Sequence, residues 1–523
     1  MSEIKKEYQV SRATLALALG ALGSRGVGFF REVVVAAKFG TGRAFDLYVA
    51  SSALPSFLSA VFLYALPDYL VPYLARLKEN RPAALRRFLL WTFFGGAVFL
   101  GGLYFSAPLW VKLFAPGLPP YEIHFGVQAF QILLLFVFGT AIEAILRSYY
   151  QVEGRFGLTA ASPLLTGLVV LGAVFLLSGK LSVYALAWGW AVGSLVSVAA
   201  MLIFLFFSRP SGNLAPTVAS APTPTPSGPI DWKGFSYVLA VAVLGQLMVL
   251  LDRFFGSFLP PESLSALYYA SLPVLFPVGI LIYPLGYAIF PKLSQRLAEG
   301  KDAEAAELLA KALGWMNFVL IPMSVIFILA PEEVIRLVFE RGAFGAASTD
   351  LSARCLRIFA FSLLASGYIF VLSRVYLATG LGKRLAAFCL AAFLFKAGVA
   401  YAAIQAWGLE GLAGAGSAAL VGLAFLQFWR LPGRVKAFTR PLGFKSLKLV
   451  AVSFLAFGGV WLVSSFLAPG VAFLNGTFLL LVFGFLYLAG CFILRIPEFF
   501  ETVNLLRFLD GKKLFYGTVA ARL

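Results

Sequence analysis

Long apolar runs separated by short polar stretches follow one another along almost the whole chain. Each run holds at least about 20 residues, the length that a helix needs to cross a hydrocarbon core of roughly 30 Å. The pattern predicts an all-α polytopic membrane protein with about fourteen transmembrane helices. We predict these spans at 13–37, 46–74, 88–112, 125–150, 157–178, 183–207, 236–259, 266–291, 311–330, 351–378, 385–406, 410–429, 447–467 and 472–494.

The composition agrees with this pattern. Hydrophobic residues make up 60% of the 523 residues, the mean hydropathy is +0.89 and only 13% of residues are charged, against roughly 25% in a typical soluble chain. A soluble globule of this size is excluded. The net charge of +18 is not gathered on a soluble domain, so we expect no nucleic-acid partner. The three cysteines and the single histidine lack metal-ligand spacing, so we expect no metal site.

Lys and Arg concentrate in every second loop between the predicted spans. The intervening connections at 116–122, 259–263 and 468–475 are poor in them. Because cytoplasmic loops carry the excess of Lys and Arg, we predict a multi-pass protein of the bacterial cytoplasmic (inner) membrane with both termini in the cytoplasm. The loop cations are Arg76, Lys78, Arg81, Arg86, Arg87, Arg147, Arg155, Lys292, Arg296, Lys301, Lys383, Arg384, Arg430, Arg434, Lys436 and Arg440.

A Pro-rich polar linker divides the chain into two related parts. Asp46-Leu-Tyr-Val-Ala-Ser before it matches Ala266-Leu-Tyr-Tyr-Ala-Ser after it, and Arg147-Ser-Tyr-Tyr matches Arg374-Val-Tyr-Leu. Six spans per part put both copies in the same orientation, which predicts two six-helix lobes around a central cavity. We assign 1–208 to the N-terminal lobe, 209–234 to the cytoplasmic linker, 235–440 to the C-terminal lobe, 441–495 to spans 13 and 14, and 496–523 to a basic amphipathic cytoplasmic tail.

The first span carries ionisable residues in its middle. Arg25, Arg31 and Glu32 lie there among glycines that allow local unwinding. Charges in hydrocarbon face a cavity or a partner, and arginine suits phosphate because its planar guanidinium donates two parallel hydrogen bonds. Arg25 and Arg31 are therefore candidate pyrophosphate-binding residues. The structural alternative is that they pair with Glu32 and Asp46 and lock the bundle.

Other charged residues are candidates for a functional role, and each also has a simple structural explanation. Asp46 either orients the span 1 arginines or caps a helix at the interface. Asp252 and Lys396, in spans 7 and 11, form either a salt bridge or an ion-coupling site in which lysine replaces a bound cation. Arg147 and Arg374 end spans 4 and 10, where they contact lipid headgroups or gather anionic substrate at a cytoplasmic gate.

The chain lacks the motifs of an enzyme. It has no Walker loop, no nucleophile elbow and no cluster of metal ligands, so we expect a transporter without a cofactor. Uphill transport would draw on an ion gradient, the membrane potential or substrate supply. A drug/cation antiporter would need an anionic cavity instead of paired arginines, and the intramembrane charges argue against a non-transporting scaffold.

Several motifs resemble the MurJ/MviN family of lipid II flippases. The run Ser24-Arg-Gly-Val-Gly-Phe-Phe-Arg-Glu, followed by Asp46, is similar to the opening of that family. Asp252 with the following Ser-Phe-Leu-Pro, and Phe339-Glu-Arg-Gly-Ala-Phe, resemble its span 7 region and its loop before span 10. The resemblance implies the fold of the multidrug, oligosaccharidyl-lipid and polysaccharide exporter superfamily. It also implies that Arg25 and Arg31 match cavity arginines, and Asp46 an acidic position there.

The resemblance implies delivery of undecaprenyl-pyrophosphate-linked peptidoglycan precursor to the outer leaflet by alternating access, driven by membrane potential or sodium. The implied partners are this lipid-linked glycan, membrane lipids and the cell-wall synthesis machinery. The chain departs from the family at Ser59 and Leu272, where two cavity cations are missing. Lys396 stands where sodium-binding members place acidic or amide groups, which argues against sodium coupling. A flippase for an O-antigen, capsule or exopolysaccharide intermediate is the alternative.

Overall fold

The structure is a computed structural model that describes residues 23–77, 80–207, 232–431, 440–465 and 472–502. The regular secondary structure of the described residues is entirely helical, with no strand. The all-α prediction is confirmed. The Pro-rich stretch of the predicted linker, the predicted tail after residue 502 and the start of span 1 lie outside the described residues.

Eighteen helices follow one another in the described chain, and a π-helical turn at Val278–Ile282 joins two of them. They are α1 (23–39), α2 (Arg43–Ser51), α3 (Ala53–Arg76), α4 (Arg81–Phe105), α5 (Ala107–Phe114), α6 (Pro120–Val152), α7 (Phe156–Leu181), α8 (Tyr184–Phe207), α9 (Trp232–Gly256), α10 (Ser263–Pro277), α11 (Tyr283–Ala298), α12 (Asp302–Leu329), α13 (Pro331–Phe339), α14 (Ala346–Ala378), α15 (Gly382–Trp429), α16 (Arg440–Ser465), α17 (Ala472–Ile493) and α18 (497–502).

The number of membrane spans is not settled by these helices. Eleven described helices are long and apolar enough to cross a membrane, or twelve if the bent pair α2 and α3 counts as one span. Helix α15 is one of the eleven, although its backbone turns at Gly408, where φ is 55° and ψ is −126°. The described part of span 1 is α1 alone. The count of fourteen stays a prediction.

Prolines mark where several helices begin and where one changes its winding. Helices α4, α5, α6 and α13 each have a proline in the first turn, where the missing N–H would have no helical partner. Pro277 ends α10, and the chain continues through the π turn into α11. Pro277 has no N–H to donate, which gives a physical reason for the change from α-helical to π-helical winding at this point.

Helices α6 and α14 occupy similar places in the N-terminal half (23–207) and the C-terminal half (232–431). Each has 33 residues. The Tyr150 hydroxyl donates to the carbonyl of Met201, and the Tyr376 hydroxyl donates to the carbonyl of Gln427, with 51 residues between the partners in both cases. Tyr150 and Tyr376 are therefore equivalent positions in the two halves. This alignment differs by one residue from the sequence alignment that matches Arg147 with Arg374. The division into two lobes stays a prediction that this likeness supports.

The last two long helices pack on the outside of the C-terminal half. Helices α16 and α17 form an apolar cluster with α12, in which Phe318 and Ile321 meet Leu449 and Val452. The Tyr487 hydroxyl of α17 donates to the carbonyl of Phe318 at 2.7 Å. Elsewhere, large apolar side chains face outward, as on α4, and an exposed apolar helix face is stable only against lipid.

Candidate functional site

Arg25 on α1 reaches into the C-terminal half. Its guanidinium carbon lies 5.4 Å from the ring centroid of Tyr283 on α11. A Cβ at Gly279, in the π turn, would lie 3.2 Å from the Arg25 Nη1 atom. This Nη1 atom is buried and has no hydrogen-bond partner among the described residues. A guanidinium nitrogen that is buried without a hydrogen-bond partner, in a helix predicted to span the membrane, is suited to binding an anion.

Arg31, the second candidate, has partners of its own. Its Nη2 lies 2.5 Å from Glu32 Oε1, and its guanidinium carbon lies 4.4 Å from the ring centroid of Trp190 on α8. The other carboxylate oxygen of Glu32 accepts a hydrogen bond of 2.8 Å from the Tyr268 hydroxyl on α10. Helix α1 is continuous from 23 to 39, and the two arginines contact different groups. Arg31 thus has a carboxylate partner, whereas no described carboxylate pairs with Arg25.

Asp46 caps a helix of the opposite half. Its buried carboxylate accepts hydrogen bonds from the N–H groups of Glu262, at 2.5 Å, and Ser265, at 2.7 Å, and from the Ser265 hydroxyl. These N–H groups belong to the first turn of α10, which no helical carbonyl can satisfy. Arg43 Nη1 is 3.9 Å away. Asp46 therefore fastens α2 to α10, and its described contacts include neither Arg25 nor Arg31.

Asp252 and Lys396 form an ion pair between α9 and α15. Lys396 Nζ lies 2.7 Å from Asp252 Oδ1 and donates to the carbonyl of Met248, also at 2.7 Å. The lysine side chain is only 4% exposed, and that of the aspartate is 27% exposed. Among the described residues, no group of three or more His, Cys, Asp or Glu side chains could hold a metal ion. The ammonium group occupies the place where a free cation would meet this carboxylate.

Arg147 and Arg374 lie apart in separate surroundings. Arg147 Nη1 is 3.6 Å from the buried carboxylate of Glu143, which also accepts a hydrogen bond from the Ser162 hydroxyl. The Arg374 guanidinium carbon lies 4.9 Å from the ring centroid of Phe370. The Phe370 ring also packs on the Tyr283 ring that Arg25 covers, with the two ring centroids 4.4 Å apart. Their roles at the cytoplasmic end stay predictions.

The two halves touch closely at the side that the loop charges predict to be extracytoplasmic. Gly40 and Gly342 have φ angles of 55° and 62°, which favour glycine. A Cβ on Gly40 would strike the carbonyl of Ala343, and one on Gly342 would strike that of Ala37. The Ala343 N–H donates to the Ala37 carbonyl at 2.8 Å. We call this contact of residues 37–42 with residues 340–345 the outer closure.

Further contacts surround the outer closure. The Thr41 hydroxyl lies 2.7 Å from that of Ser348, and the Gly117 N–H donates to the Ser257 hydroxyl at 3.1 Å. The sequence pattern does not predict this closure, because short loops with small residues are also typical of ordinary turns. The sequence signal for this contact is the presence of Gly40 and Gly342 in loops that connect predicted spans.

Two other cavities are unrelated to these residues. They have volumes of about 860 and 820 Å³ and lie between α4, α6 and α8. Apolar side chains line most of both, with Arg86 and Arg155 at the end of the first that the loop charges predict to be cytoplasmic. Neither is lined by the arginines of α1, so these cavities do not form the candidate anion site.

Comparison with known proteins decides the family. A family model described as "Lipid II flippase MurJ" matches residues 35–484. The chain belongs to the MurJ family of lipid II flippases. The matched range begins after Arg25, Arg31 and Glu32, and it includes the outer closure and the Asp252–Lys396 pair. The family resemblance inferred from the motifs is confirmed.

Curated relatives agree with membership of the MurJ family. A protein of Bdellovibrio bacteriovorus named "Probable lipid II flippase MurJ" is 24% identical over 468 residues, which are 87% of this chain and 88% of the relative. One of Thermotoga maritima with the same name is 28% identical over 385 residues, covering 72% of this chain and 74% of the relative. The similarity extends over most of both chains.

Solved structures show that the fold is shared more widely. A structure titled "Lipid II flippase MurJ, inward closed conformation" superposes with a TM-score of 0.75 at 21% identity, over 92% of this chain and 98% of the other. An inward-facing multidrug resistance MATE family transporter of the MOP superfamily superposes with a TM-score of 0.62 at 15% identity, over 81% and 95%. The MurJ family member described here is therefore a multi-pass membrane transporter.

Proposed function

We propose that this protein moves lipid II, the undecaprenyl-pyrophosphate-linked peptidoglycan precursor, from the inner to the outer leaflet of the cytoplasmic membrane by alternating access. The observation that carries the proposal is the buried Nη1 atom of Arg25, which has no hydrogen-bond partner in the described chain. Membership of the MurJ family supports the choice of substrate. An unpaired guanidinium between two halves of a flippase is a binding group for the anionic pyrophosphate.

Arg25 is suited to the pyrophosphate both in charge and in geometry. A guanidinium binds two phosphate oxygens through parallel hydrogen bonds, and hydrogen bonds to charged groups contribute about 1.5–3 kcal/mol each. Gly279 leaves room beside Arg25 Nη1, since any Cβ there would lie 3.2 Å from it. Arg31 has a different task, because Glu32 already neutralises it. It positions Glu32, and through it Tyr268, at the contact between α1 and α10.

Alternating access requires the outer closure to break. The hydrogen bond from Ala343 to Ala37 and the bonds from α10 to Asp46 all join one half to the other. When the halves separate at this side, these bonds are lost together and the bound headgroup gains a route outward. In this proposal, the arrangement with a closed outer side is the one that takes up substrate from the cytoplasmic leaflet.

The membrane potential supplies the driving force in this proposal. Moving one elementary charge through the membrane is worth about 2.3 kcal/mol per 100 mV, and an anionic pyrophosphate moves outward down the potential of an inside-negative membrane. Sodium is not needed, because Lys396 provides the positive charge beside Asp252. Binding to the cell-wall synthesis machinery stays a prediction.

A second candidate has the same lipid carrier and a different glycan. Ser59 is buried and lies in hydrogen-bond contact with Thr140, and Leu272 is apolar, so no cation projects from either position. The sequence resemblance associates both positions with cavity cations. A chain that lacks them has a different surface for the sugar–peptide part, which favours an O-antigen, capsule or exopolysaccharide intermediate as the alternative substrate.

Complementation separates these candidates. The chain is expressed in a bacterium depleted of its own lipid II flippase, and lipid II exposed on the outer leaflet is measured. We expect growth and exposure to be restored, Arg25→Ala to abolish both, and Arg25→Lys to restore part. Failure of well-expressed, membrane-inserted protein to restore exposure would reject lipid II and leave the alternative glycans.

A further inference from the structure

Arg253 is a third arginine at the contact between the halves. It lies in the last turn of α9, on the side of the outer closure. Its Nη1 donates a hydrogen bond of 3.0 Å to the hydroxyl of Ser52, at the break between α2 and α3 in the other half. Arg253 therefore joins the end of α9 to the α2–α3 break of the other half.

The carboxylates nearest to Arg253 are already engaged. Asp252, its neighbour in sequence, pairs with Lys396 at 2.7 Å. Glu32 pairs with Arg31 at 2.5 Å, and Asp46 accepts hydrogen bonds from the start of α10. Arg253 forms no ion pair with any described carboxylate. Among the described residues, its hydrogen-bond partner is the neutral hydroxyl of Ser52.

The bond from Arg253 to Ser52 depends on the closed outer side. It joins α9 to the α2–α3 break, so separation of the halves at this side removes it. Because no described carboxylate pairs with Arg253, we infer that loss of Ser52 leaves the guanidinium without its hydrogen-bond partner beside the opening path. An unpaired guanidinium in hydrocarbon is unfavourable unless an anion binds it.

We propose that Arg253 is a second pyrophosphate-binding residue, which contacts the lipid-linked substrate when the outer side opens. This rests on the function proposed above and adds an outer binding position to that of Arg25. Arg25 takes up the pyrophosphate while the outer side is closed. The opening separates Arg253 from Ser52, and Arg253 then binds the same pyrophosphate at a position nearer the outer side. It supplies positive charge that the chain lacks at Ser59 and Leu272.

Binding to an outward-opened form tests the proposal directly. Gly342→Leu prevents the outer closure, because its side chain would strike the Ala37 carbonyl. In nanodiscs of this variant, the Kd of undecaprenyl pyrophosphate is measured with and without Arg253→Gln. We expect the second substitution to weaken binding by about tenfold or more, as loss of a charge-assisted hydrogen bond predicts, and Arg253→Lys to recover part of the loss. Gly40→Leu provides an independent opened form if Gly342→Leu does not fold.

Ser52→Ala is the matched control, because it removes the same hydrogen bond and keeps the arginine. If Arg253 binds substrate, Ser52→Ala changes the Kd by less than about twofold. If Arg253 only locks the halves, Arg253→Gln and Ser52→Ala increase labelling of outer-side cysteines equally, and neither changes the Kd of the opened form. That result would overturn the proposal.

The two proposals fail in different ways. A wild-type chain that binds undecaprenyl pyrophosphate but does not restore lipid II exposure rejects the lipid II assignment, while the binding comparison still decides the role of Arg253. If Arg25→Ala abolishes binding of undecaprenyl pyrophosphate and Arg253→Gln leaves it unchanged, the result rejects the binding role of Arg253 and keeps that of Arg25. A chain that does not bind undecaprenyl pyrophosphate in any form rejects both.

Discussion

At the scale of single residues, the charged side chains of the predicted spans differ in whether a partner neutralises their charge. Arg31 has Glu32 and the Trp190 ring, whereas Arg25 Nη1 has no hydrogen-bond partner in the described chain. Lys396 and Asp252 compensate each other. A compensated pair holds helices together, and an uncompensated cation attracts an anion. The same residue type therefore serves structure at one position and binding at another.

Removal of Lys396 tests whether it substitutes for a bound cation. Lys396→Met leaves the Asp252 carboxylate without its partner, and we expect the unfolding free energy to fall by about 2–3 kcal/mol. Thermal unfolding in detergent, with sodium or with choline as the only cation, checks this. The wild type should be insensitive to sodium, and the variant should regain stability in sodium because binding to the folded state stabilises it.

Lys311→Met is the matched control, since Lys311 pairs with Glu307 in an exposed position and such pairs contribute little. A sodium-dependent melting temperature in the wild type would contradict the substitution of lysine for a cation. The double variant Asp252→Asn with Lys396→Met should melt close to the wild type.

At the scale of elements, one carboxylate connects helices that are far apart in sequence. Asp46 opens α2 and caps α10, although Glu262 and Ser265 are more than 200 residues away. The hydrophobic pattern places both helices correctly, but it does not indicate which side chain satisfies the first turn of α10. An interfacial helix cap is one of the two roles that the sequence predicts for Asp46, and only the fold shows that the capped helix belongs to the other half.

Asp46→Ala should loosen this connection. Loss of a helix cap costs about 0.5–2 kcal/mol, and we expect a lower melting temperature together with faster labelling of a cysteine introduced at Glu262. Asp46→Asn keeps an acceptor oxygen and should have a smaller effect. Asp350→Ala, at an exposed position in the first turns of α14, is the control. Equal labelling rates in Asp46→Ala and the control would contradict the capping role.

At the scale of the whole molecule, two halves meet at the outer closure through backbone. Gly40 and Gly342 each leave space that the other half's carbonyl fills. Backbone contact without side chains makes the closure tight, yet few interactions must be broken to open it. This suits a transporter that alternates between two arrangements of its halves.

Gly342→Ala should shift the protein toward the outward-open form. Its Cβ would meet the Ala37 carbonyl, and φ is 62° there, a conformation that is unfavourable for alanine. We expect greater labelling of outer-side cysteines and lower lipid II exposure. Gly345→Ala is the control, because a Cβ on Gly345 meets nothing within 4 Å. Labelling unchanged from the wild type would contradict the role of the closure.

The sequence alone determined the all-α membrane fold, the family and the charged residues that deserved attention. Hydropathy and motifs are properties of contiguous segments, so they are readable without the fold. Only the tertiary structure decided which charges are paired. It separated Arg25 from Arg31, assigned Asp46 to α10, paired Lys396 with Asp252 and placed Arg253 against Ser52. These outcomes depend on contacts between residues that are distant in the chain, and no local pattern encodes which residues meet.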